Sequence, residues 1–111
     1  MRATVGPILF GYMCVRLDAP SGAAKWGQTL LARYAEREGF ALGTVFVERD
    51  VNRPLSALAA LIETAKREDI RVVAVPRPTD LGLLPRVQWL TRQMLQREAE
   101  IRVLVVEPAR A

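Results

Sequence analysis

The sequence contains no histidine and a single cysteine, Cys14, among its 111 residues. One cysteine cannot form an intrachain disulfide, which favours a reducing, cytoplasmic compartment. Without histidine, the chain lacks both the usual ligands of a zinc site and the usual imidazole base of catalysis. We therefore expect no metal site, and no motif in the chain indicates a cofactor.

Long apolar runs and nucleotide-binding loops are also missing. No apolar stretch approaches the ~20 residues that span a membrane, and the N-terminal segment has no convincing signal-peptide cleavage site. The glycines form neither G-x-x-x-x-G-K-[ST] nor G-x-G-x-x-G. These absences argue against a membrane partner, a P-loop and a dinucleotide site.

The charge of the chain is modestly basic, with a net charge of +4. Such a charge attracts polyanions, nucleic acid among them. The basic residues are, however, interleaved with acids, as in residues 33–38 and 66–69, which is typical of solvated helix ends. Charge alone thus favours an ordinary solvated surface over a nucleic-acid interface.

Strand and helix patterns alternate along the chain. Apolar runs predict strands over residues 8–15, 41–47, 70–75 and 101–106. Helical periodicity predicts helices over residues 23–38, from Pro54 onward, and over 84–99. This order predicts one three-layer α/β/α domain, over residues 1–111, with a mainly parallel sheet.

The spacing of apolar residues also predicts the buried face of each helix. The three predicted stripes are Trp26, Leu30 and Tyr34; Leu55, Leu58, Leu61, Ile62 and Ala65; and Leu84, Val87, Leu90 and Met94. Trp89 falls off the last stripe, so it is either an exposed contact residue or an ordinary surface residue.

Polar residues gather where the predicted strands end. The carboxyl ends of parallel strands meet at one edge of a sheet. This edge would collect four arginines and three acids: Arg16, Arg49, Arg53 and Arg77, with Asp18, Glu48 and Asp50. One interpretation is an anion or phosphate site, since guanidinium groups match phosphate oxygens. The other is a set of solvated ion pairs, each contributing less than ~1 kcal/mol.

Two potential nucleophiles lie near the first strand. Ser21 precedes the first predicted helix and has no adjacent base, which favours a helix N-cap over a nucleophile. Cys14 lies in an apolar strand, which favours a small core residue, although the neighbouring Arg16 could lower its pKa and make the thiol reactive.

Several segments together resemble the catalytic domain of serine recombinases, the resolvases and invertases. The first strand, Gly11-Tyr12-Met13-Cys14-Val15-Arg16, is similar to the family's Gly-Tyr-x-Arg-Val-Ser. Further resemblances are Gln28 with Leu31, Tyr34 and Ala35; Val45 to Glu48; Arg53-Pro54; Asp69 to Val75; and Thr79 to Leu83. The resemblance implies strand order 2-1-3-4, an attack by serine on DNA, a long dimerisation helix and a DNA-binding domain. We expect those last two parts to be absent from this chain.

The resemblance also shows which site residues differ. Arg16 stands at the nucleophilic serine, and a guanidinium offers no lone pair for attack. Cys14, Asp80 and Leu83 stand where the family has arginines, and Thr79 begins that last segment. Arg53 is retained, and Glu48 stands in place of the family's Asp. The vestigial site, or possible anion site, would comprise Arg16, Glu48, Arg53 and Arg77.

These departures lead to three hypotheses. The first is that the chain is not an enzyme but a resolvase-like protein-interaction or regulatory module, with an unknown protein partner or a second copy of itself. The second is a weak nucleic-acid or phosphate-binding domain using Arg16, Arg49, Arg53 and Arg77. The third is a residual recombinase subunit that acts with an intact partner subunit.

Overall fold

The computed structural model describes residues 6–49 and 55–107. Its elements are, in chain order, β1 (Ile8–Cys14), α1 (Ala23–Glu38), β2 (Ala41–Glu48), α2 (Ser56–Glu68), β3 (Val72–Val75), α3 (Pro85–Ala99) and β4 (Arg102–Val105). A single 3₁₀ turn, Pro78–Leu81, lies between β3 and α3. Within the described ranges, no helix is both long and apolar enough to cross a membrane.

The described strands form a parallel sheet in the order β2-β1-β3-β4. This confirms the predicted α/β class and the strand order that the resemblance implied. In the register of β1 and β2, Cys14 lies opposite Glu48, so the polar ends of these strands meet at one edge. The carboxyl end of β3 reaches the same edge, because β3 runs parallel to β1.

Helices cover both faces of the sheet, and the alternation of side chains along β1 shows how. Leu9 packs in a cluster with Leu31 and Ala35 of α1. The next residue, Phe10, points to the other face, where it packs with α2 and with Leu95 of α3. A central strand buried on both faces needs a continuous apolar run, which is what residues 8–15 supply.

The buried face of α1 lies one position away from the predicted stripe. Its buried residues are Gly27, Leu31 and Ala35, whereas Trp26 is 44% exposed. Gly27 explains the shift, since a Cβ at this position would lie 2.3 Å from the terminal methyl of Met13. The helix therefore approaches β1 through its glycine, and Trp26 is turned towards solvent.

The predicted stripe of α3 is also wrong in its first half. Leu84, Val87 and Leu90 are 63%, 42% and 51% exposed. Only the second half of the helix packs on the core, through Leu95, with Met94 partly buried beside it. Trp89 is exposed as well, in agreement with its position off the stripe. The start of α3 thus presents apolar side chains to solvent.

Candidate functional site

A cleft opens at the carboxyl edge of β1 and β3. Its volume is about 860 Å³, within the usual range for small-molecule and cofactor sites. The loop after β1 forms one wall, and the loop after β3 with the 3₁₀ turn forms the other. The first turn of α1 contributes Trp26 to the mouth. The fold therefore brings together segments that the sequence separates by about 60 residues.

Arg16 lies on the rim of this cleft, in the loop that follows β1. Its Nε is 3.2 Å from Oδ1 of Asp18, and both side chains are largely exposed, at 61% and 77%. An ion pair this exposed contributes less than ~1 kcal/mol, so the guanidinium can exchange its carboxylate for another anion at little cost. Arg16 is thus available at the cleft, and its ion-pair partner is neither Glu48 nor Asp80.

Arg77 lies on the opposite wall, directly after β3. Its guanidinium carbon is 4.5 Å from the centroid of the Trp26 ring, a cation–π contact. Its Nε is 3.7 Å from Oε1 of Glu107, in an ion pair whose side chains are both about half exposed. The contact with Trp26 holds the planar guanidinium at the mouth of the cleft, where it remains open to solvent.

Asp80 joins the two walls through its carboxylate. Oδ1 accepts a hydrogen bond from the backbone N–H of Cys14 at 2.9 Å, and Oδ2 accepts one from the backbone N–H of Arg77 at 3.0 Å. Burial raises the pKa of this carboxyl group, although these two hydrogen bonds and the Arg77 charge act in the opposite direction. Both oxygens of Asp80 are therefore engaged in fixing the backbone.

Glu48 is buried, with only 3% of its surface exposed. Its carboxylate accepts hydrogen bonds from the hydroxyl of Tyr12 and from the backbone N–H groups of Ala57 and Leu58. The last two belong to the first turn of α2, where unpaired N–H groups and the helix dipole favour a negative charge. Glu48 thus fixes α2 to β2, and burial keeps its carboxylate away from the cleft surface.

Cys14 lines the cleft but is partly buried at the end of β1. Its Sγ is 3.4 Å from the carbonyl oxygen of Asp80, which can accept the thiol proton, and 3.7 Å from the hydroxyl oxygen of Tyr12. Burial raises the pKa of the thiol; the hydrogen bond with Tyr12 lowers it, and the charges of Asp80 and Glu48 raise it further. The thiol is therefore protonated at neutral pH, contrary to the activated state that Arg16 could have produced.

Four residues with a hydroxyl group line the cleft, Tyr12, Ser21, Thr79 and Thr91, and of these only Ser21 and Thr79 are exposed. The N-cap of α1 is Gly22, with φ of 91° and no side-chain capping bond, so Ser21 does not cap the helix. Leu83 also lines the cleft and is 68% exposed. Of the family positions, the cleft therefore contains Cys14, Arg16, Thr79, Asp80 and Leu83 together.

The remaining predicted site residues lie elsewhere. Arg49 is exposed at the end of β2 and is not among the residues that line the cleft. Asp50 and Arg53 lie outside the described residues. Across residues 6–49 and 55–107, no cluster of three metal-ligating side chains forms.

Trp26 is the cleft residue that the sequence analysis missed. The spacing of Trp26, Leu30 and Tyr34 indicated a core stripe, and this concealed its role. A positional signal was present: Trp26 lies in the first turn of the helix that follows β1, and this turn must lie at the carboxyl edge of the sheet.

Comparison with known proteins identifies the fold as that of serine recombinase catalytic domains. The N-terminal catalytic domain of TP901-1 integrase matches with a TM-score of 0.71 and 15% identity, over 89% of this chain and 76% of the integrase domain. The C-terminal catalytic domain of ISC1926 TnpA, an IS607-like serine recombinase, matches with a TM-score of 0.73 and 14% identity, over 93% of this chain and 72% of that domain. No family model and no curated protein matches the sequence.

These matches confirm the resemblance at the level of the fold and correct the prediction about catalysis. The expectation that the chain is not an enzyme is contradicted, because both matched structures are catalytic domains of recombinases, which are enzymes. That expectation relied on the replacement of the family's serine by Arg16 and of three of its arginines by Cys14, Asp80 and Leu83. The cleft contains other hydroxyl groups, on Ser21 and Thr79, so the replacement does not by itself show a loss of activity.

Proposed function

We propose that this chain acts on DNA in site-specific recombination, and that the cleft binds the phosphodiester. One observation carries the proposal: Arg16 and Arg77 flank a cleft at the carboxyl edge of a sheet with the serine recombinase fold. Guanidinium groups bind phosphate oxygens through two parallel N–H bonds, and they stabilise the negative charge of a phosphoryl transition state.

The ion pairs of the two arginines support this role. Asp18 and Glu107 hold the guanidinium groups at the surface, at 3.2 and 3.7 Å, in pairs that water screens strongly. A phosphate can replace these carboxylates without the cost of extracting a buried charge. The net charge of +4 adds a general attraction to DNA.

We propose Ser21 as the nucleophile. It is exposed, lines the cleft together with Arg16, and does not cap α1. In the proposed step, Oγ of Ser21 forms a bond to phosphorus and the bond from phosphorus to the deoxyribose oxygen breaks. The hydroxyl proton passes through solvent to the departing oxygen, and the product is a protein–DNA phosphodiester. Cys14 is disfavoured, because its raised pKa keeps the thiol protonated at neutral pH.

The test is covalent capture of DNA. The protein is incubated with labelled, nicked duplexes carrying candidate recombination sites, with and without an intact serine recombinase as partner subunit, and the reaction is quenched in denaturant. We expect a protein–DNA adduct that Ser21→Ala abolishes and that the matched cleft variant Thr79→Ala retains. An adduct that persists in Ser21→Ala assigns the nucleophile elsewhere. Absence of any adduct, with the partner present, contradicts the proposed reaction.

The exposed start of α3 favours a second role, in protein contact. Leu84, Val87 and Leu90 present an apolar surface that the described part of this chain does not cover. We propose a second copy of this chain as the partner, because a two-fold interface places one such patch against itself. Light scattering after size exclusion tests this: a dimer that Leu90→Asp dissociates, and that the off-patch variant Gln93→Asp retains, supports it. A monomer at all concentrations contradicts it.

A further inference from the structure

The interior of the cleft does not resemble a site for phosphate alone. Its arginines lie at the rim, and the carboxylate of Asp80 is engaged by two backbone N–H groups, whereas the rest of its walls are mainly apolar. Met13, Val15, Leu58, Leu81 and Val87 all contribute to these walls. A phosphate ion gains nothing from such surface, because apolar walls offer it no hydrogen bonds. The cleft therefore fits a ligand that has an apolar, flat part beside its anionic group.

Trp26 is positioned to bind that flat part. Its ring is 44% exposed at the mouth, although tryptophan is among the largest apolar side chains. Core packing does not require this ring, because Gly27, Leu31 and Ala35 form the buried face of α1. Arg77 lies over the ring at 4.5 Å, so the two form a platform of an indole and a planar guanidinium. Aromatic rings and arginine planes are the surfaces on which unpaired nucleobases stack.

We propose that the cleft binds an unstacked nucleobase on Trp26, while Arg77 and Arg16 hold the phosphate beside it. This inference rests on the proposed function, and it specifies the substrate as single-stranded or locally unpaired DNA. A guanidinium that lies over a ring keeps its N–H bonds in its own plane, so Arg77 can contact the ring and a phosphate together. In intact duplex the base must first leave its stack, so duplex binds more weakly.

The experiment uses Trp26 as its own reporter. The sequence has two tryptophans, so Trp89→Phe leaves Trp26 as the single indole. This variant is titrated with a single-stranded oligonucleotide of about twelve nucleotides, within the usual site size for such binding. Further titrations use the same strand with abasic residues, the matching duplex and inorganic phosphate. We expect the intact strand to quench Trp26 fluorescence, and the abasic strand to bind with less quenching and about tenfold lower affinity.

Variants of Trp26 separate stacking from a structural role. Anisotropy of the labelled strand should show that Trp26→Ala weakens binding about tenfold and that Trp26→Phe, which keeps an aromatic ring, retains most of the affinity. Circular dichroism and thermal unfolding report whether each variant is folded. Equal affinity for the intact and abasic strands, or unchanged affinity in a folded Trp26→Ala variant, overturns the stacking proposal.

The two proposals fail in different ways. If Arg16→Ala weakens binding of both strands while Trp26→Ala weakens neither, the phosphate site stands and the base site is wrong. If neither variant changes binding, both are wrong. If Trp26→Ala instead abolishes self-association and no strand binds, the cleft takes a protein segment, and this result also overturns the base site.

Discussion

Asp80 is hydrogen-bonded to the backbone N–H of Cys14, a residue 66 positions away, at 2.9 Å. The other oxygen of the same carboxylate accepts the N–H of Arg77. This one side chain therefore sets the spacing of the two loops that carry Arg16 and Arg77. The resemblance alone indicated only that an acid stands here where the family has an arginine. The structure shows a carboxylate that fixes the two loops at this edge, because it accepts hydrogen bonds from two backbone N–H groups.

The first prediction concerns the stability that Asp80 provides. In Asp80→Asn, the amide oxygen can still accept the N–H of Cys14, but the amide nitrogen then faces the N–H of Arg77, donor against donor. The bond to Arg77 is exposed, so most of the effect comes from the partly buried bond to Cys14, which loses its charged acceptor. A hydrogen bond to a charged group contributes about 1.5–3 kcal/mol, and we expect a loss of about 1–2 kcal/mol in urea unfolding. Asp18→Asn is the matched control, and its exposed pair with Arg16 should contribute less than ~1 kcal/mol. Equal losses in the two variants contradict the role given to Asp80.

The second prediction concerns pH. Burial raises the pKa of Asp80 in the folded state above its value in the unfolded chain. The folded state therefore binds a proton at Asp80 more tightly than the unfolded chain does. The stabilisation that comes from this protonation is lost as the pH rises through the pKa of the folded state. We expect wild type to gain stability relative to Asp80→Asn as the pH is lowered from neutral towards the usual range of an aspartate. Free energies of unfolding measured across this range should show the gain; a relative loss contradicts the raised pKa.

The third prediction concerns Glu48. Its carboxylate accepts three hydrogen bonds in a buried environment, and glutamine keeps only one oxygen acceptor. We expect Glu48→Gln to lose at least about 2 kcal/mol of unfolding free energy, because donors of Tyr12 or α2 are then left unpaired. Glu36→Gln, at an exposed position of α1, should change stability by less than ~0.5 kcal/mol. A near-neutral Glu48→Gln variant would show that the carboxylate is dispensable.

The fourth prediction concerns the thiol of Cys14. Because burial raises the pKa of the thiol, its alkylation by iodoacetamide should be slow at neutral pH. The rate of alkylation should increase only at pH values above those at which a free cysteine ionises. Two variants should move the midpoint in opposite directions. Asp80→Asn removes a negative charge, so it should lower the pH midpoint of the alkylation rate. Tyr12→Phe removes a hydrogen bond that lowers the thiol pKa, so this variant should raise the midpoint. A wild-type midpoint below that of free cysteine contradicts this assignment.

The fold was largely predictable from the sequence, because the relevant signals are local. The helix over residues 23–38 has the predicted bounds, since Gly39 at its C-cap adopts φ of 84°, a conformation that glycine favours. The apolar runs likewise predict the strands, although β3 and β4 are shorter than expected. Burial on both faces of a central strand requires such runs, so their positions mark the sheet directly.

The site was only partly predictable, because it depends on contacts between distant segments. The close approach of Gly27 to Met13 turns Trp26 outward. The spacing of apolar residues along a helix cannot distinguish two faces that are offset by a single residue. The buried role of Glu48 depends on the position of α2, and that of Asp80 on a loop 66 residues from its partner. The positions of the strand ends predicted that Arg16 and Arg77 would lie at the same edge of the sheet. They did not predict the contact between Arg77 and the ring of Trp26.

The most direct test of the account is the salt dependence of DNA binding by the Arg16→Ala/Arg77→Ala double variant. Its control is Arg33→Ala/Arg97→Ala, which removes the same charge from exposed helix positions that do not line the cleft. Anisotropy with a labelled oligonucleotide gives Kd between about 50 and about 200 mM salt. We predict that the cleft variant loses affinity at least tenfold and that its salt slope falls by about 2, with a smaller change in the control. Equal affinities and equal slopes in the two variants would show that DNA does not bind at this cleft.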